Sequence, residues 1–178
     1  MKTIALFYGT TDGHTLSVAK RIQDEFAQTG LATVELFDIA EFYLDEMLDF
    51  ELLILGIPTW DTGQLQRDWE EVFNEFDSLD LHGKTVALFG LGDQIGYAKT
   101  FVDALFFIAE KVRSCGVTLV GRWPIAGYDY TQSWAVIDET HFVGLVLDEE
   151  NQSTLTELRI RVWVHQLLVE FGLLNQDS

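Results

Sequence analysis

Three short stretches of this 178-residue sequence carry residue types that chemistry could use: Gly9-Thr10-Thr11-Asp12-Gly13-His14-Thr15, Pro58-Thr59-Trp60-Asp61-Thr62-Gly63 and Gly90-Leu91-Gly92-Asp93-Gln94-Ile95-Gly96-Tyr97. The first combines three threonine hydroxyls with two glycines that permit tight turning, directly before a segment of helical spacing. Backbone N–H groups at a helix start, joined by hydroxyls, make a seat for a phosphate. No Lys or Arg stands between Gly9 and Val18, so dipoles and hydroxyls would hold that phosphate without a counter-charge. An ordinary strand-to-helix turn with a threonine cap would use the same residues. The second and third stretches each present one large aromatic, Trp60 and Tyr97, among turn-forming residues. Two aromatics on neighbouring loops can sandwich a flat ring, each stack contributing about 0.5–1.5 kcal/mol beyond area burial. Singly, each would serve to pack a helix end. With a phosphate seat beside them, they describe a planar heterocycle joined to a monophosphate.

Three other uses of glycine-rich loops on such a chain fail on spacing. A triphosphate-cleaving loop needs Gly-x-x-x-x-Gly-Lys-Ser/Thr, which is absent. A dinucleotide fingerprint would follow the first strand, whereas Gly90, Gly92 and Gly96 come later and are wrongly spaced. A phospho-acceptor domain would place acids after the first and third strands, where Tyr8, Gly9, Pro58 and Thr59 stand.

The elements that must position these loops are legible in the apolar pattern. Thr3–Tyr8, Ala32–Phe37, Leu52–Ile57 and Thr85–Phe89 are short, β-branched or aromatic runs ending in turn residues, which predicts fully buried strands. Helical spacing lies between them, at Leu16, Ala19, Ile22 and Phe26, at Leu65, Trp69, Val72, Phe73 and Phe76, and at Phe101, Leu105, Ile108 and Val112. Strands alternating with helices predict a doubly wound parallel sheet covered on both faces. In such sheets ligands bind outside the carboxyl ends of the strands, which is where the three loops fall. Thr118–Trp123 reads as a fifth strand and Phe142–Leu147 as a further strand-like run, so an insertion near 124–141 interrupts strand five. It holds Tyr128, Tyr130 and Trp134, which suits an ordered lobe. A last helix is expected to open on Thr154 and Glu157 in capping-box spacing and to bury Leu158, Val162, Trp163, Leu167 and Phe171.

Composition narrows the partners. With 11 Lys+Arg against 29 Asp+Glu the net charge is −18, on a chain that is 48% hydrophobic. That is too apolar for a disordered tail and too acidic to favour nucleic acid or anionic lipid. Cys115 is the only cysteine, so an intramolecular disulfide or Cys-based cluster is excluded and a reducing, cytoplasmic setting fits. No run approaches the roughly 20 apolar residues that cross a bilayer. His82, His141 and His165 stand apart from the loops, and Cys115 reads as a small packing residue.

At this point the sequence resembles a family, the flavodoxins, and specifically the long-chain ones. The resemblance covers the whole chain, 1–178, as one domain, and rests on TTDGHT, IPTWDTGQLQRDW, VALFGLGDQIGYA and FVGLVLDEENQ in that order. It implies five parallel strands in order 2-1-3-4-5 with FMN at the switch between strands one and three; flavodoxin is itself a type example of that order. It further implies that Thr10, Thr11, Asp12, Gly13, His14 and Thr15 wrap the FMN phosphate and that Trp60 and Tyr97 cover the two ring faces. Pro58 and Thr59 would run beside the ribityl chain, and Gly92, Asp93 and nearby backbone, with Gly90 and Leu91, would meet the pyrimidine edge. The Asp61-Thr62 peptide, followed by Gly63, would face flavin N5. His14 stands where the family usually has Asn, and Ala98-Lys99-Thr100 lacks an acid often found after that tyrosine.

The implied activity is that of a low-potential one-electron carrier, shuttling between semiquinone and hydroquinone, and not an enzyme. An Asp61 carbonyl accepting a hydrogen bond from N5–H would favour the first electron by about 1 kcal/mol, and the acids around it would disfavour the second. Partners would be basic-faced redox proteins, such as a flavodoxin/ferredoxin-NADP reductase and acceptor enzymes, docking transiently on a monomer. Between Asp61 and Asp80 stand seven acids, Asp61, Asp68, Glu70, Glu71, Glu75, Asp77 and Asp80, against Arg67 alone. The competing readings are an NAD(P)H quinone or nitro reductase on the same fold, which needs an open ring face, and an FMN-holding interaction module without redox work.

Overall fold

The computed structural model describes residues 1–175 of the chain; the last three residues of the expected 1–178 domain lie outside the described residues. Its centre is a parallel sheet of β1 (Lys2–Tyr8), β2 (Ala32–Asp38), β3 (Leu52–Trp60), β5 (Thr85–Leu91) and β6 (Thr118–Val120), in spatial order β2-β1-β3-β5-β6. A short β4 (Gln64–Leu65) turns back antiparallel onto the end of β3. Burial on both faces explains the near-continuous apolar strands. Alternate residues sort to opposite sides: Ala5, Phe7, Leu53, Leu55, Val86 and Leu88 belong to one core, and Ile4, Leu6, Ile54, Ala87 and Phe89 to the other.

Among the described residues four α-helices cover the sheet: α1 (His14–Thr29), α2 (Arg67–Val72), α3 (Asp103–Ser114) and α4 (Thr156–Glu170). α1 buries Val18, Ala19, Ile22 and Phe26 at helical spacing and ends on Gly30, whose φ of +69° suits a residue without Cβ. The expected single helix over Leu65–Phe76 is instead three pieces, with Leu65 in β4, then α2, then a 3₁₀ turn over Phe73–Ser78. Trp69 and Phe76 are still fully buried and stacked, ring centroids 6.3 Å apart. The expected face of α4 is also corrected. Leu158 and Val162 are exposed, while Ile160, Trp163, Val164, Leu167 and Leu168 form the buried stripe. No Thr154 capping box forms, because a 3₁₀ turn over Ser153–Leu155 precedes α4 and the buried Thr156 hydroxyl donates to the Glu149 carboxylate instead.

The far edge of the sheet is shared by two strands. β6 pairs with the first half of β5, from Thr85↔Thr118 to Ala87↔Val120. β9 (Leu145–Leu147) pairs with its second half, from Phe89↔Leu145 to Leu91↔Leu147. Residues 121–144 lie between and include the antiparallel pair β7 (Trp123–Pro124) and β8 (His141–Phe142). The run expected over Thr118–Trp123 ends at Val120 because Gly121 turns with φ +84°. Gly144 separates Phe142 from Leu145 where a Cβ would stand 2.1 Å from the Leu88 carbonyl oxygen, an approach only glycine allows. Among the described residues no helix is long and apolar enough to cross a membrane, and no cluster of His, Cys, Asp and Glu could hold a metal ion.

Candidate cofactor site

A cleft of about 290 Å³ opens at the carboxyl ends of β1, β3 and β5. Asp12, His14, Thr15, Pro58, Thr59, Trp60, Asp61, Leu91, Gly92, Asp93 and Tyr97 line it, all drawn from the three stretches singled out in the sequence, together with Glu149 and Glu150. Thr10, Thr11, Gly13, Thr62, Gly63 and Gly90 do not line it, and most of them shape the loops.

In the first loop the Thr10 hydroxyl accepts the Gly13 N–H at 3.0 Å and the Asp12 carboxylate accepts the His14 N–H at 3.2 Å. Gly13, at φ +88°, starts α1 in a left-handed conformation. These bonds satisfy two backbone donors of the turn, while the helix start still offers N–H groups without intrahelical partners and the positive end of its dipole. The loop is held from below by Gln66, a residue 1% exposed, whose Nε2 donates to the Thr11 hydroxyl at 3.1 Å. Gly9 makes that contact possible.

The second loop is a hairpin. Thr59 pairs with Leu65 and Trp60 with Gln64, leaving Asp61, Thr62 and Gly63 as the turn, with φ of +46° at Asp61 and +85° at Gly63. Asp tolerates the left-handed region better than most side chains, and Gly enters it freely. The Thr59 hydroxyl accepts the Ala104 N–H at 3.2 Å, fixing the strand end to α3.

In the third loop Asp93 Oδ1 accepts N–H bonds from Gly96 at 2.7 Å and Ile95 at 3.1 Å, and one from Asn151 Nδ2 at 2.8 Å. The Gly96 N–H is the main reason its carboxyl sits below the usual carboxylate range. The loop is pinned again by Asp148, fully buried, whose Oδ2 accepts from the Gln94 backbone and side chain at 3.0 and 2.7 Å. Trp60 and Tyr97 both reach the cleft, and neither ring stacks on another aromatic among the described residues.

Sequence reasoning missed Glu149 and Glu150 as lining residues, and Gln66, Gln94 and Asp148 as supports. The signal for the first pair was present: Asp148-Glu149-Glu150 follows the carboxyl end of β9, so the rule that picked the other loops selects it too. Five carboxylates, Asp12, Asp61, Asp93, Glu149 and Glu150, line the cleft, and neither Lys nor Arg is among the lining residues. Such a site discourages added negative charge while leaving a helix start to receive a phosphate.

Fold and cleft together define a doubly wound protein with an open cleft at the carboxyl ends of its central strands, the place where such folds take ligands. The chain belongs to the flavodoxin family, whose model matches residues 6–163. It is 49% identical over 173 residues to a flavodoxin of Picosynechococcus sp., covering 97% of this chain and 100% of that one. A flavodoxin of Klebsiella pneumoniae is 42% identical over 173 residues, with 97% of each chain covered. Among solved structures, Fusobacterium nucleatum flavodoxin bound to flavin mononucleotide superposes with a TM-score of 0.89 at 30% identity, over 96% of this chain and 99% of that one.

Proposed function

We propose that this chain, as one domain of the long-chain type, binds FMN and carries one electron at a time between a reductase and acceptor redox proteins. The observation that carries this reading is the cleft itself: two aromatic rings without ring partners beside a helix start, in a chain similar over its length to a flavodoxin solved with FMN. The 10–15 loop would receive the phosphate, Pro58 and Thr59 the ribityl chain, and Trp60 and Tyr97 the two ring faces. Gly92 and Asp93, with Gly90 and Leu91, would meet the pyrimidine edge. Bound FMN supplies two successive one-electron steps, and the protein sets their potentials.

The Asp61–Thr62 peptide forms the tip of the hairpin, between the left-handed Asp61 and Gly63, and Asp61 lines the cleft. That supports the Asp61–Thr62 peptide as the group that meets N5 and favours the semiquinone. Five lining carboxylates support a lowered potential for the hydroquinone, since at an effective dielectric of 20 a charge about 10 Å away contributes roughly 1.7 kcal/mol. Two aromatics closing the ring faces speak against a second flat substrate and so against a reductase enzyme.

Outside the cleft, Arg67 pairs with Glu71, Lys111 with Asp77 and His82 with Asp80, and Gln66 donates to Asp68, which leaves Glu70 and Glu75 of the acidic stretch for a basic partner. Docking would be steered by charge and weakened by salt. The purified protein loaded with FMN is expected to oxidise no NAD(P)H by itself and to relay electrons once a flavodoxin reductase is added, at a rate that falls as salt is raised. Steady NAD(P)H oxidation without the reductase would move the enzyme reading to first place.

A further inference from the structure

Behind the cleft, the start of α3 carries a buried carboxylate to which the proposed cofactor contacts give no role. Asp103 is 6% exposed, and its Oδ1 accepts the N–H of Trp134, from the 121–144 segment, at 2.8 Å. A Cβ built on Gly63 would stand 3.1 Å from Asp103 Oδ2 and 3.2 Å from Asp103 Cβ. The carboxylate therefore lies flat against the third residue of the Asp61–Gly63 turn. The next residue of α3, Ala104, donates to the Thr59 hydroxyl just ahead of that turn at 3.2 Å. Consecutive residues of one helix thus hold the first limb of the hairpin and back the end of its turn. Just before them Val102 takes φ +50°, a region that β-branched residues rarely enter. Burial raises the Asp103 pKa, offset in part by the Trp134 N–H.

We infer that Asp103 is a positioning residue for the Asp61–Gly63 turn: clamped by the Trp134 N–H, its carboxylate fills the space behind Gly63 and holds the Asp61–Thr62 peptide toward the cleft. The 121–144 segment thereby reaches the Asp61–Gly63 turn through α3. The consequence for electron uptake rests on the proposed role of that peptide; the structural part does not.

Two variants separate geometry from mere stability. Asp103→Ala removes both the acceptor and the filling, whereas Asp103→Asn keeps an acceptor oxygen and nearly the same volume. In the apoprotein, amide hydrogen exchange at Gly63 and Trp134 is expected to accelerate at least tenfold in Asp103→Ala, with core-strand amides within twofold of wild type and Asp103→Asn restoring the original rates. In the FMN-loaded protein, the equilibrium constant for uptake of the first electron falls about tenfold in Asp103→Ala, or about 59 mV, and Asp103→Asn recovers it. Unchanged exchange at Gly63, acceleration spread evenly over the chain, or a first potential that Asp103→Ala leaves in place each overturns the inference. If Asp103→Ala does not fold, Asp103→Leu, which keeps the filling and loses the acceptor, must accelerate exchange at Trp134 and lower the same constant; unchanged values overturn the inference equally. A wild-type protein that takes both electrons in one step would refute the functional reading alone, and apoprotein exchange would still decide the role of Asp103 in the turn.

Discussion

Replacing Gly9 with Ala is expected to weaken the proposed phosphate seat at a distance, through Gln66 and Thr11. The added methyl would stand 2.3 Å from Gln66 Oε1 and 2.7 and 2.9 Å from two atoms of the Trp69 ring. Ordinary contacts are about 3.5–4.0 Å, so each is about 1 Å too close. Trp69 cannot swing away: it is fully buried, its Nε1–H donates to the Gly56 carbonyl at 3.0 Å, and its ring stacks on Phe76. Gln66 therefore yields, and its 3.1 Å bond to the Thr11 hydroxyl goes with it. Overpacking costs about 1–3 kcal/mol and the lost hydrogen bond about 0.5–1.5 kcal/mol. Urea unfolding of the apoprotein should show a loss of about 2–4 kcal/mol. Fluorescence titrations should show FMN affinity reduced about tenfold, or about 1.4 kcal/mol, with riboflavin affinity nearly unchanged because riboflavin lacks the phosphate. Equal losses for both flavins, or an apoprotein as stable as wild type, would refute the reasoning.

Three further outcomes follow from single residues. Asp148→Ala should cost about 2 kcal/mol or more in urea unfolding, since it leaves the buried backbone and side-chain donors of Gln94 unpaired at about 1–3 kcal/mol per group and also removes the part-buried bonds from Glu150 and Asn151. Tyr128, whose pKa burial pushes up to about 12, should ionise only at strongly alkaline pH when phenolate absorbance is followed. Folding holds that proton more tightly than the unfolded chain does, so stability from this group is full below pH about 10 and is lost as pH rises toward 12; Tyr128→Phe should flatten that alkaline limb. Asp93 has the opposite sign: its lowered pKa contributes stability above the ordinary carboxylate value, lost as pH falls through the folded one. Denaturation curves across acidic pH should therefore fall less steeply for Asp93→Asn than for wild type.

The four central strands were legible because strands buried on both faces must be apolar throughout, and Ile4, Leu6, Ile54 and Leu88 have no solvent-facing alternative. Their carboxyl ends were not. Pro58 and Gly90 read as loop residues, yet they pair with Leu91 and Val146, and such pairings depend on chain far away in sequence. The α4 face was misjudged because apolar residues surround that helix; Leu158 and Val162 stay exposed while Ile160 and Val164 take the core. In the site, the residues that meet the cleft were visible from type and position, whereas Gln66 and Asp148 were not, since a buried polar residue looks like a surface one until its partners are placed. Glu149 and Glu150 escaped for a narrower reason: the edge of the sheet is divided between β6 and β9, and the loop after β9 was not read as a strand end.

The central claim is one-electron transfer on FMN, and stepwise anaerobic reduction of the FMN-loaded protein, with spectrum and potential recorded together, tests it most directly. The account predicts a yellow protein that passes through a long-lived blue neutral radical, with a second potential far below the first. Bleaching in a single two-electron step, with no radical at any potential, would contradict it.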